Sequence, residues 1–193
     1  MPSRSYGLIV EGPYDIDFFR VIVARVAANN PTIELLEGGG NALLRRFPTL
    51  LRRFEHIIAG EPVGKALVIK DADGHPVDEV EGIMANRLGN QTYIFPEGVE
   101  LCGVQQEMET WLLADVQAIN QVSTDRGKRD GVPIIHGTLE EMFQAKERLR
   151  SALSRAGLDY TPPICAEIAA KADLERLRQR CPSFRRFEEK ILA

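Results

Sequence analysis

K-A-L-V-I-K-D-A-D-G-H, residues 65–75, is an apolar run of Ala66, Leu67, Val68 and Ile69 that leads into two carboxylates, Asp71 and Asp73. Such a run, bounded by polar residues, predicts a buried strand. If the chain stays extended, Asp71 and Asp73 share one face, roughly 6–7 Å apart. Oxygen ligands so placed suit a hard cation such as Mg²⁺, which keeps several waters and needs only one or two protein carboxylates. A turn accounts for the same letters, because Asp-Ala-Asp-Gly is good turn chemistry and Gly74 with Pro76 would end a strand unaided.

Upstream, residues 6–10 form another short apolar run that stops at Glu11-Gly12-Pro13. Ile16, Phe19, Val23 and Val26 then recur at spacings of three and four, predicting a helix over 14–28. Residues 32–36 predict a strand, and Gly38-Gly39-Gly40-Asn41 a flexible turn. A helix over 42–58 should carry Leu43, Phe47, Leu50, Leu51 and Phe54 inward, with Pro48 kinking it or starting a new turn. Downstream of Asp73 come a helix over 77–88 and strands over 92–95 and 99–104. Beyond 104 the pattern is helical, over 105–113, 139–155 and 164–192, with a break at Cys181-Pro182. Residues 125–137, rich in Gly and charge, predict a loop. Strands alternating with helices imply right-handed crossovers, hence an α/β fold with a Rossmann-like, mainly parallel sheet flanked by helices. That fold should occupy residues 1–115, with residues 116–193 a helical C-terminal extension packed on it.

With 193 residues, 44% hydrophobic and 27% charged, the chain is sized and composed for one globular core. Its formal charge is −4, unevenly spread: residues 1–110 hold 10 basic against 16 acidic side chains, residues 111–193 hold 14 against 12. That balance argues against a surface coated for nonspecific nucleic-acid binding, and it is compatible with a metal site beside a phosphate-contacting face and equally with ordinary surface variation. No apolar stretch reaches membrane-spanning length, and the N-terminus lacks a signal-like apolar core, so a cytoplasmic protein with no membrane partner is expected. Cys102, Cys165 and Cys181 are far apart and read as reduced core residues. His56, His75 and His136 form no metal motif, and neither a P-loop nor a Ser-His-Asp elbow is present.

In an open parallel sheet the reactive crevice lies beyond the carboxyl ends of the strands. Glu11, the Gly38-Gly39-Gly40 turn, and Asp71 with Asp73 stand at the ends of three successive predicted strands. L-I-V-E-G-P-Y-D, residues 8–15, followed by V-I-K-D-A-D-G, residues 68–74, resembles the Toprim domain. Toprim is the catalytic α/β module of topoisomerases, bacterial primases and the overcoming-lysogenization-defect (OLD) nucleases, and the resemblance covers about residues 6–110. A narrower likeness joins Q-Q-E-M-E-T-W-L-L-A-D, residues 105–115, and C-P-S-F-R-R-F, residues 181–187. Together these are similar to small stand-alone Toprim-like bacterial proteins of unknown function.

The resemblance implies that Glu11 is an acid/base or metal-ligand glutamate and that Asp71 and Asp73 hold Mg²⁺ or Mn²⁺. Gly12 would let the backbone pass close to a phosphate. Asp15 would serve a second metal, although a carboxylate in a first helical turn also suits the helix dipole. Gly39 and Gly40 would turn amides toward phosphate oxygens, or simply join a strand to a helix. OLD-type nucleases use carboxylates beyond D-x-D, and Glu107 is favoured over Glu109, since two helical positions two apart differ by about 200° around the axis. Acids in a first turn also stabilise a helix by themselves.

The activity so implied is Mg²⁺-dependent phosphodiester hydrolysis of DNA or RNA with water as nucleophile. Topoisomerase chemistry would need a tyrosine on a separate domain, and primase chemistry zinc- and helicase-binding parts. A separate ATPase chain and a homo-oligomer stay open as partners. The alternative is a non-catalytic scaffold of the same fold that binds nucleic acid, nucleotide or a partner. At the C-terminus, Phe184 and Phe187 should bury together, with Arg185 and Arg186 facing solvent or a phosphate.

Overall fold

Four parallel strands, Ser5–Val10 (β1), Thr32–Glu37 (β2), Lys65–Asp71 (β3) and Val99–Val104 (β4), form one sheet in the order β2-β1-β3-β4. The computed structural model describes residues 4–57, 60–128 and 131–193. Leu8 pairs with Leu35 on one side and Leu67 on the other, and Val68 pairs with Leu101. Crossovers run through helices Pro13–Ala27 (α1), Leu43–Arg53 (α2) and Val77–Leu88 (α3). The expected α/β architecture with a helical C-terminal part is the one observed.

Alternation along the central strands divides the core in two. Tyr6, Leu8 and Val10 with Leu67 and Ile69 face α1 and the C-terminal helices, while Ile9, Ala66 and Val68 face α2 and α3. Buried on both faces, β1 and β3 read as continuous apolar runs, as interior strands of a parallel sheet must. Pro48 lies within α2, where its ring deprives the Leu44 carbonyl of a helical donor. Arg87 Nε of α3 supplies one instead, at 3.2 Å.

Residues 92–95 do not form the expected strand. Tyr93 and Phe95 stack at 5.8 Å, Phe95 is buried against the α2–α3 core, and Tyr93 donates its hydroxyl to the Pro48 carbonyl at 3.0 Å. Same-side rings two residues apart are satisfied by extended coil as well as by a strand. The expected helix from 105 begins only at Met108 (α4, Met108–Ala114), and an unexpected one follows, Val116–Asp125 (α5). Between them Asp115 accepts from Gln117 N at 3.1 Å and caps α5. The expected helix over 139–155 is a short turn, Leu139–Glu141, and then Ala145–Arg155 (α6). The expected 164–192 helix is three: Pro162–Lys171 (α7), Leu174–Arg180 (α8) and Pro182–Leu192 (α9). Asp173 caps α8, and Pro162 and Pro182 stand in the first turns of α7 and α9, where a missing N–H does no harm. The predicted helix over 42–58 ends in a short turn at Phe54–His56, and its residue 58, like residues 129 and 130 of the predicted loop, lies outside the described residues.

Helices α4 to α9 share the first core with β1 and α1. Trp111 is at its centre, with ring centroids of Phe184 and Phe187 at 5.1 and 5.3 Å. Those two phenylalanines bury together as expected. Arg185 is exposed, and Arg186, its side chain still 40% exposed, pairs at the surface with Asp78 at 2.7 Å and Glu81 at 3.0 Å on α3. Cys102, Cys165 and Cys181 are free and buried. Among the described residues no helix is long and apolar enough to cross a membrane.

Candidate active site

Glu11, the first residue beyond β1, sews the strand ends together. Its Oε1 accepts from Lys70 Nζ at 2.8 Å and from the Asp71 amide at 2.9 Å. Its carbonyl accepts from the amides of Gly39 at 3.1 Å and Gly40 at 2.8 Å, and Gly38 donates to the Val10 carbonyl at 2.7 Å. These bonds correct the expectation that Gly39 and Gly40 offer amides to phosphate: the donors are used to hold the end of β2 beside β1. Glycine is favoured at Gly39 by its left-handed φ of 85°. Gly12 has an extended backbone, a Cβ there would meet only Asp15 Oδ2 at 3.8 Å, and its amide donates to that same oxygen at 2.8 Å. It too lines the cleft without a free donor.

The D-x-D stretch takes the turn that its letters allow: the extended run that would set Asp71 and Asp73 on one face ends at Asp71, and both residues line the cleft from either side of that turn. Asp71 closes β3, Ala72 donates to the Val104 carbonyl at 2.8 Å, and Asp73 then turns left-handed at φ 49° while donating to the Gln106 carbonyl at 3.0 Å. After β4, Glu107 is still extended, at φ −142° and ψ 164°, and α4 starts behind it. That overturns the choice between Glu107 and Glu109. The 200° argument needs both to be helical, whereas one extended and one helical residue point both carboxylates into the same cleft. Glu107 Oε2 accepts from the Lys146 amide at 3.1 Å, at the start of α6. Glu109 is buried and accepts the Tyr160 hydroxyl.

The cleft holds about 450 Å³ at the carboxyl edge of the sheet. Glu11, Asp15, Glu37, Asp71, Asp73, Glu107 and Glu109 line it, with Lys146 as the single ammonium among the described residues. The Lys146 Nζ also lies 5.8 and 5.7 Å from the ring centroids of Tyr14, which lines the cleft, and Tyr160, which stacks on Tyr14 at 4.6 Å. Burial, and then the Glu109 and Glu11 charges against the relief of the Gly12 amide, pushes the Asp15 carboxyl up to about 7. Asp71 is raised well above the usual carboxylate range by burial and by Asp15, Glu11, Glu109 and Glu107. Glu107 is raised by burial and by Glu109, opposed by Lys146. Each cause disfavours an additional negative charge in a site that already has several.

Among the described residues, no three His, Cys, Asp or Glu side chains are arranged to hold one metal ion. The donor chemistry nevertheless fits Mg²⁺ or Mn²⁺, because hard oxygens in charge excess are gathered here and such an ion takes one or two carboxylates with water completing its shell. Sequence reasoning missed Glu37, Lys70, Lys146 and Tyr160. Glu37 and Lys70 carried a signal, since each sits at a strand's carboxyl end. Lys146 and Tyr160 carried none, being brought in by helices distant in the chain. His75 is exposed, lining a smaller hollow with Lys70 and Asp71.

Neither a curated protein nor a solved structure matches the chain. A profile of the family described as a domain of unknown function, DUF4276, matches residues 10–192, nearly the whole length, and the chain belongs to that family.

Proposed function

We propose that this protein is a metal-dependent phosphodiesterase acting on nucleic acid, with Glu11, Asp71, Asp73 and Glu107 at the reacting centre and Asp15 beside them. The observation that carries the reading is seven carboxylates lining a single cleft at the carboxyl ends of parallel strands, with only Lys146 in the lining and Lys70 paired to Glu11 to offset them among the described residues. A bound Mg²⁺ or Mn²⁺ would supply positive charge against the non-bridging phosphate oxygens. Asp71 and Asp73 are the residues that would hold it, with Glu107 and Asp15 available on the facing walls. Glu11 is fixed by Lys70 and the Asp71 amide, so it orients β3's end and leaves its other oxygen toward the cleft. Lys146 is the chain's own group for pairing with a phosphate oxygen. Tyr14, stacked on Tyr160, gives the cleft an aromatic side.

The test is turnover on a panel of DNA, RNA and nucleotides with and without Mg²⁺ or Mn²⁺, beside the Asp71→Ala protein. Cleavage that needs metal and is lost in Asp71→Ala is expected. Both metals should also raise the wild-type Tm, because a ligand bound only by the native state stabilises it by mass action. A melting point indifferent to both metals, or Asp71→Ala cleaving at the wild-type rate, would remove this reading and leave a non-catalytic scaffold in front.

A further inference from the structure

Beside the cleft lies a second hollow of about 510 Å³ lined by Asp73, Gln106, Glu107, Phe143, Gln144 and Glu147. It shares Asp73 and Glu107 with the cleft, so whatever occupies it is continuous with the reacting centre. We infer that this hollow is a subsite for an unpaired nucleobase, stacked on Phe143 next to the phosphate. The inference rests on the phosphodiesterase reading for the position of that phosphate.

Phe143 is 74% exposed, more than any other large hydrophobic residue among those described. Its backbone is held by Arg148 Nε, which donates to the Phe143 carbonyl at 3.1 Å, and its ring comes near the D-x-D turn, where a Cβ on Gly74 would lie 3.9 Å from Phe143 Cε1. An aromatic face therefore stands beside the D-x-D turn. The walls are set as firmly. Asp73, Gln106 and Gln144 all have left-handed backbones, at φ 49°, 61° and 61°, while the other non-glycine residues of that kind among those described are Ala28, Asn29 and Asn30 in the α1–β2 turn. The conformations are held by Asp73 N to the Gln106 carbonyl at 3.0 Å, Gln106 Nε2 to the Glu140 carbonyl at 3.2 Å and Arg148 N to the Gln144 carbonyl at 3.0 Å. A hollow whose wall is fixed before binding loses little freedom when filled.

The polar lining decides the ligand. Asp73, Glu107 and Glu147 are acceptors, Gln106 has given one of its two amide hydrogens to the Glu140 carbonyl, Gln144 can donate or accept, and among the described residues no cation lines the hollow to meet a phosphate. A flat group with hydrogen-bond donors on its edge fits, which is a base bearing an amino group. Guanine is the best match, because its adjacent N1–H and amino group pair with one carboxylate. Both the face and the donor edge must be free, so the strand is single there. Aromatic stacking of this kind tolerates any base, and the acceptors supply the preference.

Phe143→Trp places an indole at the site, and Trp111, the chain's one natural tryptophan, is fully buried. Its fluorescence is titrated in Ca²⁺ buffer with thymine hexamers carrying one central guanine, adenine, cytosine or abasic residue. The guanine hexamer should quench it with half-saturation about fivefold or more below that of the abasic hexamer, and wild-type cleavage should prefer the same strand. Equal half-saturation for guanine and abasic hexamers overturns the subsite, even where the wild type cleaves nucleic acid, in which case the phosphodiesterase reading stands alone. Guanine-dependent quenching by a protein that cleaves nothing keeps the subsite and removes hydrolysis.

Discussion

Asp71 is the residue at which the cleft's charge problem is most acute, because it is half-buried at the end of β3 and faces four other carboxylates. The consequence for stability has a definite sign. An ordinary aspartate loses its proton near pH 3.9 in the unfolded chain, whereas the native protein keeps the Asp15 proton up to about 7 and holds that of Asp71 well above the usual range. Native protein thus binds more protons than unfolded protein across that interval. The stability these groups contribute is full below about pH 4, falls as pH rises, and is gone once the raised native values are passed. In metal-free buffer, Asp71→Asn should therefore raise Tm at pH 8 by about 2–4 °C, on the order of 1 kcal/mol after solvent screening, and flatten the decline between about pH 5 and 8. Thermal melts across that range check it. A Tm at pH 8 that falls on removing the Asp71 charge would mean that the carboxylate is already compensated within the protein.

The connection from β4 to α4 shows how much of the site could be read from local sequence. The strands, and with them Glu11, Asp71 and Asp73, follow from apolar runs closed by polar residues, since a buried parallel strand leaves little else for those letters to be. That Glu107 and Glu109 both line the cleft did not follow, because apolar spacing in residues 105–113 cannot say where the first helical turn begins. Tertiary bonds decide it: the Gln106 carbonyl is engaged by Asp73 and the Glu107 carboxylate by the Lys146 amide. Lys146 and Tyr160 were beyond local reading for the same reason, as α6 and the α6–α7 connection reach the cleft only through packing. Glu109 is 4% exposed and its hydroxyl partner is Tyr160. Tyr160→Phe leaves that carboxylate without its donor and should lower stability by about 1–3 kcal/mol, read as a shift of the urea midpoint. No shift would show that water reaches Glu109 as well as the hydroxyl does.

At the scale of the whole molecule, the C-terminal helices are part of the core on which the sheet depends. Tyr6 of the first strand donates its hydroxyl to the Ile191 carbonyl at 3.3 Å, Lys65 Nζ reaches the Lys190 carbonyl at 3.0 Å, and Lys190 Nζ pairs with Glu81 at 2.6 Å. A buried line of bonds also runs from the cleft to α9: Gln106 to the Glu140 carbonyl, the Glu140 carboxylate to Ser183, and Ser183 Oγ to Trp111 Nε1 at 2.9 Å. Phe184, Phe187 and Ile191 are fully buried, and burying each is worth about 1.5–3 kcal/mol. Removing all three would withdraw an amount comparable to the whole stability of a domain, about 5–15 kcal/mol. A chain truncated after Pro182 should consequently lose its cooperative melt, and the milder Phe187→Ala should remain folded with about 3–5 kcal/mol less stability. In Phe187→Ala the metal-induced rise in Tm should persist, because the carboxylates of the cleft are borne by strand ends and the turns after them, by α1 and by α4, and not by α9. A truncated chain melting at the wild-type temperature would show that the sheet with α1 to α8 folds without its last helix, and the tail's bonds to Tyr6, Lys65 and Glu81 would then be ornaments of a core complete in itself.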